Sequence, residues 1–131
     1  MISITIETAH KKEMLDITSK LQKTVADSNV TDGVLVAYVP HTTAGITINE
    51  NADPDVRHDI LAHLEVLIPA NSNFRHLEGN SDAHIQSSIM GSSVMVIIEN
   101  GKLVLGTWQS VFFCEFDGPR TRKIYVQHLP A

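Results

Sequence analysis

Cysteine is nearly absent from the sequence, and the single residue, Cys114, cannot form a disulfide within the chain. It follows the apolar residues Val111, Phe112 and Phe113, which predicts a buried, unreactive thiol rather than a nucleophile. Lysine and arginine form no run and the net charge is −5, so the basic stripe typical of nucleic-acid-binding proteins is missing. No apolar stretch approaches the roughly 20 residues that cross a bilayer, which predicts a protein without a membrane span.

Internal repeats, low-complexity tracts and linkers are also missing, so the 131 residues predict a single domain over residues 1–131. Hydrophobic residues make up 43% and charged residues 19%, a composition typical of globular proteins and not of disordered ones. Residues 1–7 alternate between apolar and polar, which predicts a strand and not a signal peptide. We therefore expect a cytoplasmic protein.

Hydrophobic periodicity predicts an α+β fold with more sheet than helix. The predicted strands cover residues 2–7, 11–16, 34–39, 44–49, 94–98, 102–105, 108–116 and 122–127. Two main helices are predicted, one from about Thr18 and one from Pro54, together with a short helix over 83–90. Asn100-Gly101 predicts a tight hairpin turn between two strands.

Local residue chemistry predicts where the helices begin and end. Thr18, Asp53 and Asp82 are expected to cap the three helix starts, and Gly91 to end the last helix. The apolar spacing of the second helix predicts a buried stripe formed by Val56, Ile60, Leu64, Leu67 and Ile68. His63 lies off this stripe and is expected at the surface. For His58, beside Asp59 near the helix start, a surface position and a functional role both stay open.

Three of the seven histidines lie in polar segments beside the predicted apolar strands and helices. His41 follows the strand that ends at Val39, and His76 and His84 flank a polar loop that contains Gly79. Imidazole titrates near neutral pH and is the commonest metal ligand, and polar loops on a rigid scaffold often carry function. The sequence therefore predicts a histidine-rich site.

Several readings of these histidines stay open. His41, His76 and His84 are enough for three zinc ligands with an open fourth position, and Asp82 or Glu78 is placed to orient an imidazole. The spacing of these histidines is not a metal motif, so loop histidines without function fit equally well. A metal-free site, with a histidine as acid or base beside a carboxylate, is a third reading.

Oxyanion-binding groups appear in two further segments. Thr42 and Thr43 follow His41, and their hydroxyl groups are suited to phosphate, although β-branched residues at a strand entrance also need no function. Glu115 ends a strand before Arg120 and Arg122, and guanidinium groups bond phosphate in a bidentate manner. A turn with surface ion pairs is the structural alternative for this segment.

Five segments, in this order and spread over the chain, resemble the YjbQ-like family, an uncharacterised protein family whose members are also described as secondary thiamine-phosphate synthases. The matching segments are His41-Thr42-Thr43-Ala44-Gly45, Asn49-Glu50-Asn51, Gly79-Asn80-Ser81-Asp82-Ala83-His84, Gly106-Thr107-Trp108-Gln109 and Glu115-Phe116-Asp117-Gly118-Pro119-Arg120. The resemblance implies a compact α+β fold with β-sandwich-like sheets, assembled as a homotrimer. It also implies a weak condensation of hydroxymethylpyrimidine diphosphate with thiazole phosphate to give thiamine phosphate.

The residues and the resemblance together define a candidate site for a transferase. The predicted catalytic residues are His41, Asp82, His84 and Glu115. The predicted substrate and phosphate contacts are Thr42, Thr43, Gln109, Arg120 and Arg122. The predicted metal ligands are His41, His76 and His84, holding a divalent ion such as zinc, with magnesium on the diphosphate as the other possibility. Two alternatives stay open, a metal-dependent hydrolase or phosphatase and a non-catalytic trimer that binds a phosphorylated metabolite.

Overall fold

The computed structural model describes all residues from Met1 to Ala131 and contains eight strands and three helices. In chain order these are β1 (Ile2–Glu7), β2 (Glu13–Asp16), α1 (Thr18–Ser28), β3 (Gly33–Tyr38), β4 (Ala44–Glu50), α2 (Pro54–Leu67), α3 (Ser81–Met90), β5 (Ser93–Glu99), β6 (Lys102–Leu103), β7 (Gln109–Glu115) and β8 (Thr121–Pro130). No helix is long and apolar enough to cross a membrane.

The strands form two antiparallel sheets that pack face to face. One sheet has five strands in the order β1-β8-β3-β5-β6, and the other has three in the order β2-β7-β4. Inward-facing side chains such as Leu35 and Ile124 from the first sheet meet Ile46 and Phe113 from the second in one buried cluster. Leu21 of α1 packs into the same cluster. The α+β class and the sandwich-like sheets are confirmed.

Helices α2 and α3 cover the other face of the three-stranded sheet. Because side chains alternate along β7, Phe112 and Cys114 point away from the sandwich core and pack with Ala83 of α3 and Leu64 of α2. Burial raises the pKa of the Cys114 thiol to about 12. The prediction of a buried thiol is confirmed.

Helix α3 approaches β4 closely because Gly45 carries no side chain. The Ile46 N–H donates to the Gly91 carbonyl at 3.0 Å, just beyond the end of the helix. A Cβ on Gly45 would lie 2.7 Å from that carbonyl oxygen and 3.3 Å from Cβ of Met90. This contact fixes the last turn of α3, and with it Ser87, against the start of β4.

Three local predictions agree with the structure. Asp53 precedes α2 and its Oδ1 accepts from the Asp55 N–H at 2.9 Å, as expected for a helix cap. Asn100 and Gly101 both have positive φ, 53° and 75°, as a tight hairpin turn between β5 and β6 requires. Gly91 follows the last residue of α3 with φ 99°, so that helix ends where it was expected to end.

Two predicted helix caps were wrong. Thr18 is the first residue of α1, and its Oγ1 accepts from the Val111 N–H at 2.9 Å, while its own N–H donates to Asp16 at 2.9 Å. Asp82 lies within α3, after the cap position at Asn80, and its side chain is only 2% exposed. In both cases a partner distant in sequence takes the side chain that local chemistry assigned to the helix end.

The predicted stripe of α2 was partly wrong. Val56, Ile60 and Leu64 are half-buried and Ile68, just after the helix, is buried, but Leu67 is 62% exposed. The helix packs at the edge of the molecule rather than into its centre, so no residue of α2 is fully buried. His63 is exposed, as predicted.

Candidate functional site

Two open cavities meet at the loop between β3 and β4. The first has a volume of about 470 Å³ and is lined by His41, Thr42, Ala44, His84, Ser87, Ser88, Gly91 and Ser92. The second has a volume of about 480 Å³ and is lined by Tyr38, Pro40, His41, Thr42, Thr43, Arg120 and Arg122. His41 and Thr42 therefore form a wall that both cavities share.

A backbone hydrogen bond fixes the ring of His41. Its Nε2 accepts from the Lys123 N–H of β8 at 2.9 Å, so the neutral ring carries its proton on Nδ1. Burial and the nearby positive charges of Arg122 and Arg120 lower the pKa of His41, with Glu115 acting in the opposite direction. His41 is therefore a neutral imidazole at pH 7, with one N–H to donate.

The other two predicted histidines lie together beside the first cavity. His84 lies on α3 and lines that cavity, and His76 lies in the loop before α3. The two ring centroids are 5.3 Å apart in an edge-to-face arrangement. His76 also lies 3.9 Å from a carboxylate oxygen of Glu78, through its Nε2. Folding thus brings His41 and His84 to one cavity, with His76 in contact with His84.

A single chain does not assemble a ready metal site from these groups. No three histidine, cysteine, aspartate or glutamate side chains are grouped closely enough to hold a metal ion. The Nε2 lone pair of His41 is directed at the Lys123 N–H and is not free for a metal. The three histidines of one chain therefore do not fit a zinc site in this arrangement, and metal binding stays a prediction.

Arg122 and Glu115 form a buried ion pair behind the second cavity. The Arg122 Nε donates to Glu115 Oε2 at 2.7 Å and its Nη2 donates to Oε1 at 2.5 Å. The Arg122 Nη2 also donates to Thr43 Oγ1 at 2.8 Å. Arg122 lines the second cavity, whereas Glu115 is fully buried and lines neither cavity.

Arg120 sits at the rim of the second cavity. Its Nε donates to the Asp117 carbonyl at 2.8 Å and its Nη2 donates to Asp117 Oδ2 at 3.0 Å, and half of its side chain is exposed. The surface ion pair expected of a turn is therefore present, yet the same arginine still faces the cavity. Arg120 and Arg122 therefore both line this cavity, each paired with a carboxylate.

Asp82 lies on the side of α3 that faces away from both cavities. Its Oδ2 accepts from Lys12 Nζ at 2.6 Å, and the same ammonium group donates to Gln86 Oε1 at 2.8 Å and contacts Glu65 at 2.5 Å. Burial by itself raises the pKa of Asp82, but the hydrogen bond and the charge of Lys12 outweigh it, so the pKa lies below its usual value. The charged pair fixes α3 to the loop before β2.

Gln109 lies at the opposite end of the molecule from the cavities. It pairs with Glu50 at one end of the β4–β7 ladder, and Glu115 pairs with Ala44 at the other. Six residue-to-residue steps along the strand separate the two ends, roughly 20 Å at about 3.3 Å per residue. The side chain of Gln109 accepts from the Gly106 N–H at 2.8 Å. Within one chain, Gln109 is not brought to the predicted site.

Several residues at the cavities were not predicted from the sequence. Ser87 and Ser88 line the first cavity, and both hydroxyl groups donate to the His84 carbonyl, at 3.0 and 2.9 Å. Four serines between residues 87 and 93 were the available signal. No local pattern pointed to the Lys123 amide, which reaches His41 from β8, or to Tyr38 at the end of β3. His58 is exposed, pairs with Asp59 at 3.3 Å and lines neither cavity.

Comparison with known proteins identifies the family. The family described as "UPF0047 protein YjbQ-like" matches residues 2–131. The UPF0047 protein MJ1081 of Methanocaldococcus jannaschii is 60% identical over 122 residues, which are 93% of this chain and 88% of that protein. The UPF0047 protein YugU of Bacillus subtilis is 50% identical over 126 residues, which are 95% of this chain and 96% of that protein.

A solved structure supports the same assignment. The crystal structure of a conserved YjbQ/UPF0047 family protein from Clostridium acetobutylicum superposes with a TM-score of 0.97 and is 53% identical. The match covers 98% of this chain and all of that one. The arrangement of the two sheets and three helices is therefore shared by the two proteins. This chain belongs to the UPF0047 YjbQ-like family.

Proposed function

We propose that the protein is a cytoplasmic transferase that joins hydroxymethylpyrimidine diphosphate to thiazole phosphate, giving thiamine phosphate and diphosphate. The observation that carries this proposal is the pair of cavities that share His41 and Thr42, one with arginines and one with imidazole and hydroxyl groups. Each cavity is within the usual volume range of small-molecule sites. Two cavities in contact leave space for two substrates to meet at the wall formed by His41 and Thr42.

The arginine-lined cavity supports the charge chemistry of this reaction. The lone pair of the thiazole nitrogen forms a new C–N bond to the pyrimidine methylene carbon, while the C–O bond to the diphosphate breaks and its electron pair leaves with the diphosphate. Negative charge then builds up on the leaving group, and fixed positive groups stabilise it most when they need no rearrangement. Arg122 is held in place by Glu115 and Thr43, and Arg120 stands at the rim of the same cavity.

The shared wall supports orientation of the reacting carbon. His41 is neutral and offers an Nδ1–H as a donor, and Thr42 lies between both cavities. His84 faces the first cavity beside Ser87 and Ser88, where its ring is placed to hold a bound substrate by a hydrogen bond. Asp82 and Glu115 act indirectly in this proposal, since neither lines a cavity.

The homotrimer is a further part of the proposal, and the outer face of the five-stranded sheet supports it. Strand pairing places Val34, Ile97 and Leu129 side by side on this face, with Met95 and Val36 in the next row. Met95 is 71% and Ile97 61% exposed, and no helix packs on this side. An apolar face of this kind usually marks an interface between proteins. The face reaches Tyr38, which lines the arginine cavity.

Turnover by untagged protein tests the proposed reaction. With both substrates and magnesium present, we expect thiamine phosphate and diphosphate to form in equal amounts. Release of diphosphate or phosphate without thiamine phosphate would support a hydrolase instead. Tight binding of either substrate without any product would support a metabolite-binding trimer. Zinc analysis of the same sample, before and after chelation, tests the predicted metal. Because none of the steps proposed above uses zinc, we expect the activity to survive its removal.

A further inference from the structure

Arg122 is anchored on one side only. Its Nε and Nη2 nitrogens donate to the two carboxylate oxygens of Glu115, and Nη2 also donates to Oγ1 and to the carbonyl of Thr43. The arginine is 3% exposed and the glutamate 0%. This is a bidentate pair, the arrangement that holds a guanidinium plane most firmly.

The Nη1 nitrogen of Arg122 is left free by this arrangement. It donates to no atom of the protein, and the only fully buried side-chain polar atom without a partner is Oδ1 of Asn80. Nη1 is therefore accessible from the cavity that Arg122 lines with Arg120 and His41. Nη1 carries two N–H donors, and both are charged because a guanidinium stays protonated at every accessible pH.

Glu115 is itself fixed from its far side. Its Oε2 accepts from Thr8 Oγ1 at 3.2 Å and its Oε1 accepts from the Asp117 N–H at 3.0 Å. The chain passes close by at Gly118, where a Cβ would lie 2.8 Å from Cγ of Glu115 and 2.9 Å from Thr8 Oγ1. The carboxylate therefore has little freedom to move, and it transmits that rigidity to Arg122.

We infer that Arg122 Nη1 binds an oxygen of a phosphate-sized oxyanion and that Glu115 is a positioning residue acting through Arg122. The inference deepens the proposed function, on which it rests for the identity of the anion as a substrate phosphate. A buried ion pair contributes little stability compared with apolar residues of similar size. The ion pair of Arg122 and Glu115 has a reason to lie beside a cavity if Arg122 binds a ligand there.

The two possible effects of Glu115 on an anion have opposite signs. Its negative charge repels a bound anion, so neutralising it strengthens binding if Arg122 stays in place. Its geometry holds Arg122, so replacing it weakens binding if the positioning matters more. Glu115→Gln keeps the size of the side chain and removes both the charge and the bidentate acceptor pair. The direction of the change in affinity therefore separates the two effects.

Calorimetric binding of inorganic diphosphate and of inorganic phosphate, at constant ionic strength and without any second substrate, tests the inference. We expect Glu115→Gln to weaken diphosphate binding about tenfold, since a charge-assisted pair is lost. Thr43→Val removes only the Oγ1 acceptor and is expected to weaken it by about threefold. Glu99→Gln, at an exposed position of the opposite sheet end, is the matched control and should leave the affinity unchanged.

Unchanged or tighter binding by folded Glu115→Gln would overturn the inference, as would wild-type protein that binds neither anion. If Glu115→Gln does not fold, Thr43→Val decides, and unchanged affinity in that variant overturns the inference equally. The binding assay needs no turnover. Diphosphate binding that depends on Glu115, without formation of thiamine phosphate, would contradict the proposed reaction and leave the anion site standing.

Discussion

The ring of His41 shows how burial and one backbone contact determine the protonation of a single residue. The Lys123 N–H occupies Nε2, and burial together with the charges of Arg122 and Arg120 lowers the pKa, against the opposing charge of Glu115. Protonation at Nε2 would place two N–H donors against each other beside two guanidinium groups. His41 is therefore suited to donate a hydrogen bond rather than to take up a proton.

This arrangement predicts a pH-dependent stability. The unfolded chain takes up a proton at His41 near its ordinary pKa of 6.5, whereas the folded chain resists protonation until lower pH. Stability from His41 is therefore present above pH 6.5 and is lost as the pH falls below it. We expect urea unfolding between pH 8 and pH 5 to show a shallower loss of stability in His41→Gln than in wild type.

The difference in pH-dependent stability between wild type and His41→Gln separates the contribution of His41 from that of the other histidines. His128 also has a lowered pKa, mainly because of burial, and contributes a loss in the same direction to both proteins. Parallel pH profiles for the two proteins would show that the folded and unfolded states protonate His41 equally. That result would contradict the neutral ring and its role as a donor.

Single residues of the site were predictable from the sequence when their position in a polar loop was itself the signal. His41 and His84 met this condition, and both line the first cavity. Glu115 and Arg122 were predicted as site residues, but not as partners, because no local rule pairs a buried glutamate with an arginine seven residues later in a strand of the other sheet. Burial makes Glu115 the partner of Arg122, and only Arg122 lines a cavity.

Helix α3 carries His84 and is held in place by a charged contact with a distant loop. Lys12 Nζ donates to Asp82 at 2.6 Å and to Gln86 at 2.8 Å, and the side chain of Asp82 is 2% exposed. The other side of the helix is held by the Gly91 contact with β4. Any loosening of α3 therefore moves His84 relative to His41.

Removing the ammonium group of Lys12 should destabilise the fold. In Lys12→Met the carboxylate of Asp82 stays buried without its partner, and breaking a buried pair in this way costs about 3–5 kcal/mol. We expect a loss of this order in the free energy of urea unfolding at pH 7. The exposed neighbour Lys11 supplies the control, and Lys11→Met should change stability by less than about 0.5 kcal/mol. Equal effects of the two substitutions would show that the buried pair contributes nothing specific.

Periodicity and turn chemistry were enough to predict most helices and strands, whereas the caps predicted for α1 and α3 were wrong. Asp53 and the Asn100-Gly101 turn were predictable because their partners lie within a few residues. The cap of α3 was not predictable, because Asp82 pairs with a lysine 70 positions earlier in the chain. Local rules work where local contacts dominate and fail where a buried distant partner competes.

The uncovered outer face of the five-stranded sheet has consequences for the assembled protein. Met95 and Ile97 are largely exposed at its centre, and a proposed homotrimer would bury them. Ile97→Lys places a charge in this apolar face and should dissociate the trimer into folded monomers, as measured by sedimentation velocity and circular dichroism. Val66→Lys is the matched control, because Val66 is 71% exposed on α2, away from this face. Wild-type protein that sediments as a monomer would contradict the proposed assembly.

The partition into two sheets could not be read from local sequence. β1 pairs with β8 and β3 pairs with β8, so the five-stranded sheet joins the two ends of the chain. The same long-range pairing separates Gln109 from the cavities by the length of β7. The sandwich-like fold was expected from the resemblance to a family, and the positions of its motifs on opposite ends of the molecule became visible only in three dimensions.

The most direct measurement of the central claim compares two histidine variants in the thiamine phosphate assay. His84 lines the first cavity, and His63 is exposed on α2 and lines neither of the two cavities. We expect His84→Ala to fold as wild type and to lose activity by about 100-fold or more, the contribution of a positioned hydrogen-bond donor in the transition state. His63→Ala should keep full activity. Equal turnover in wild type and folded His84→Ala would contradict catalysis at this cavity.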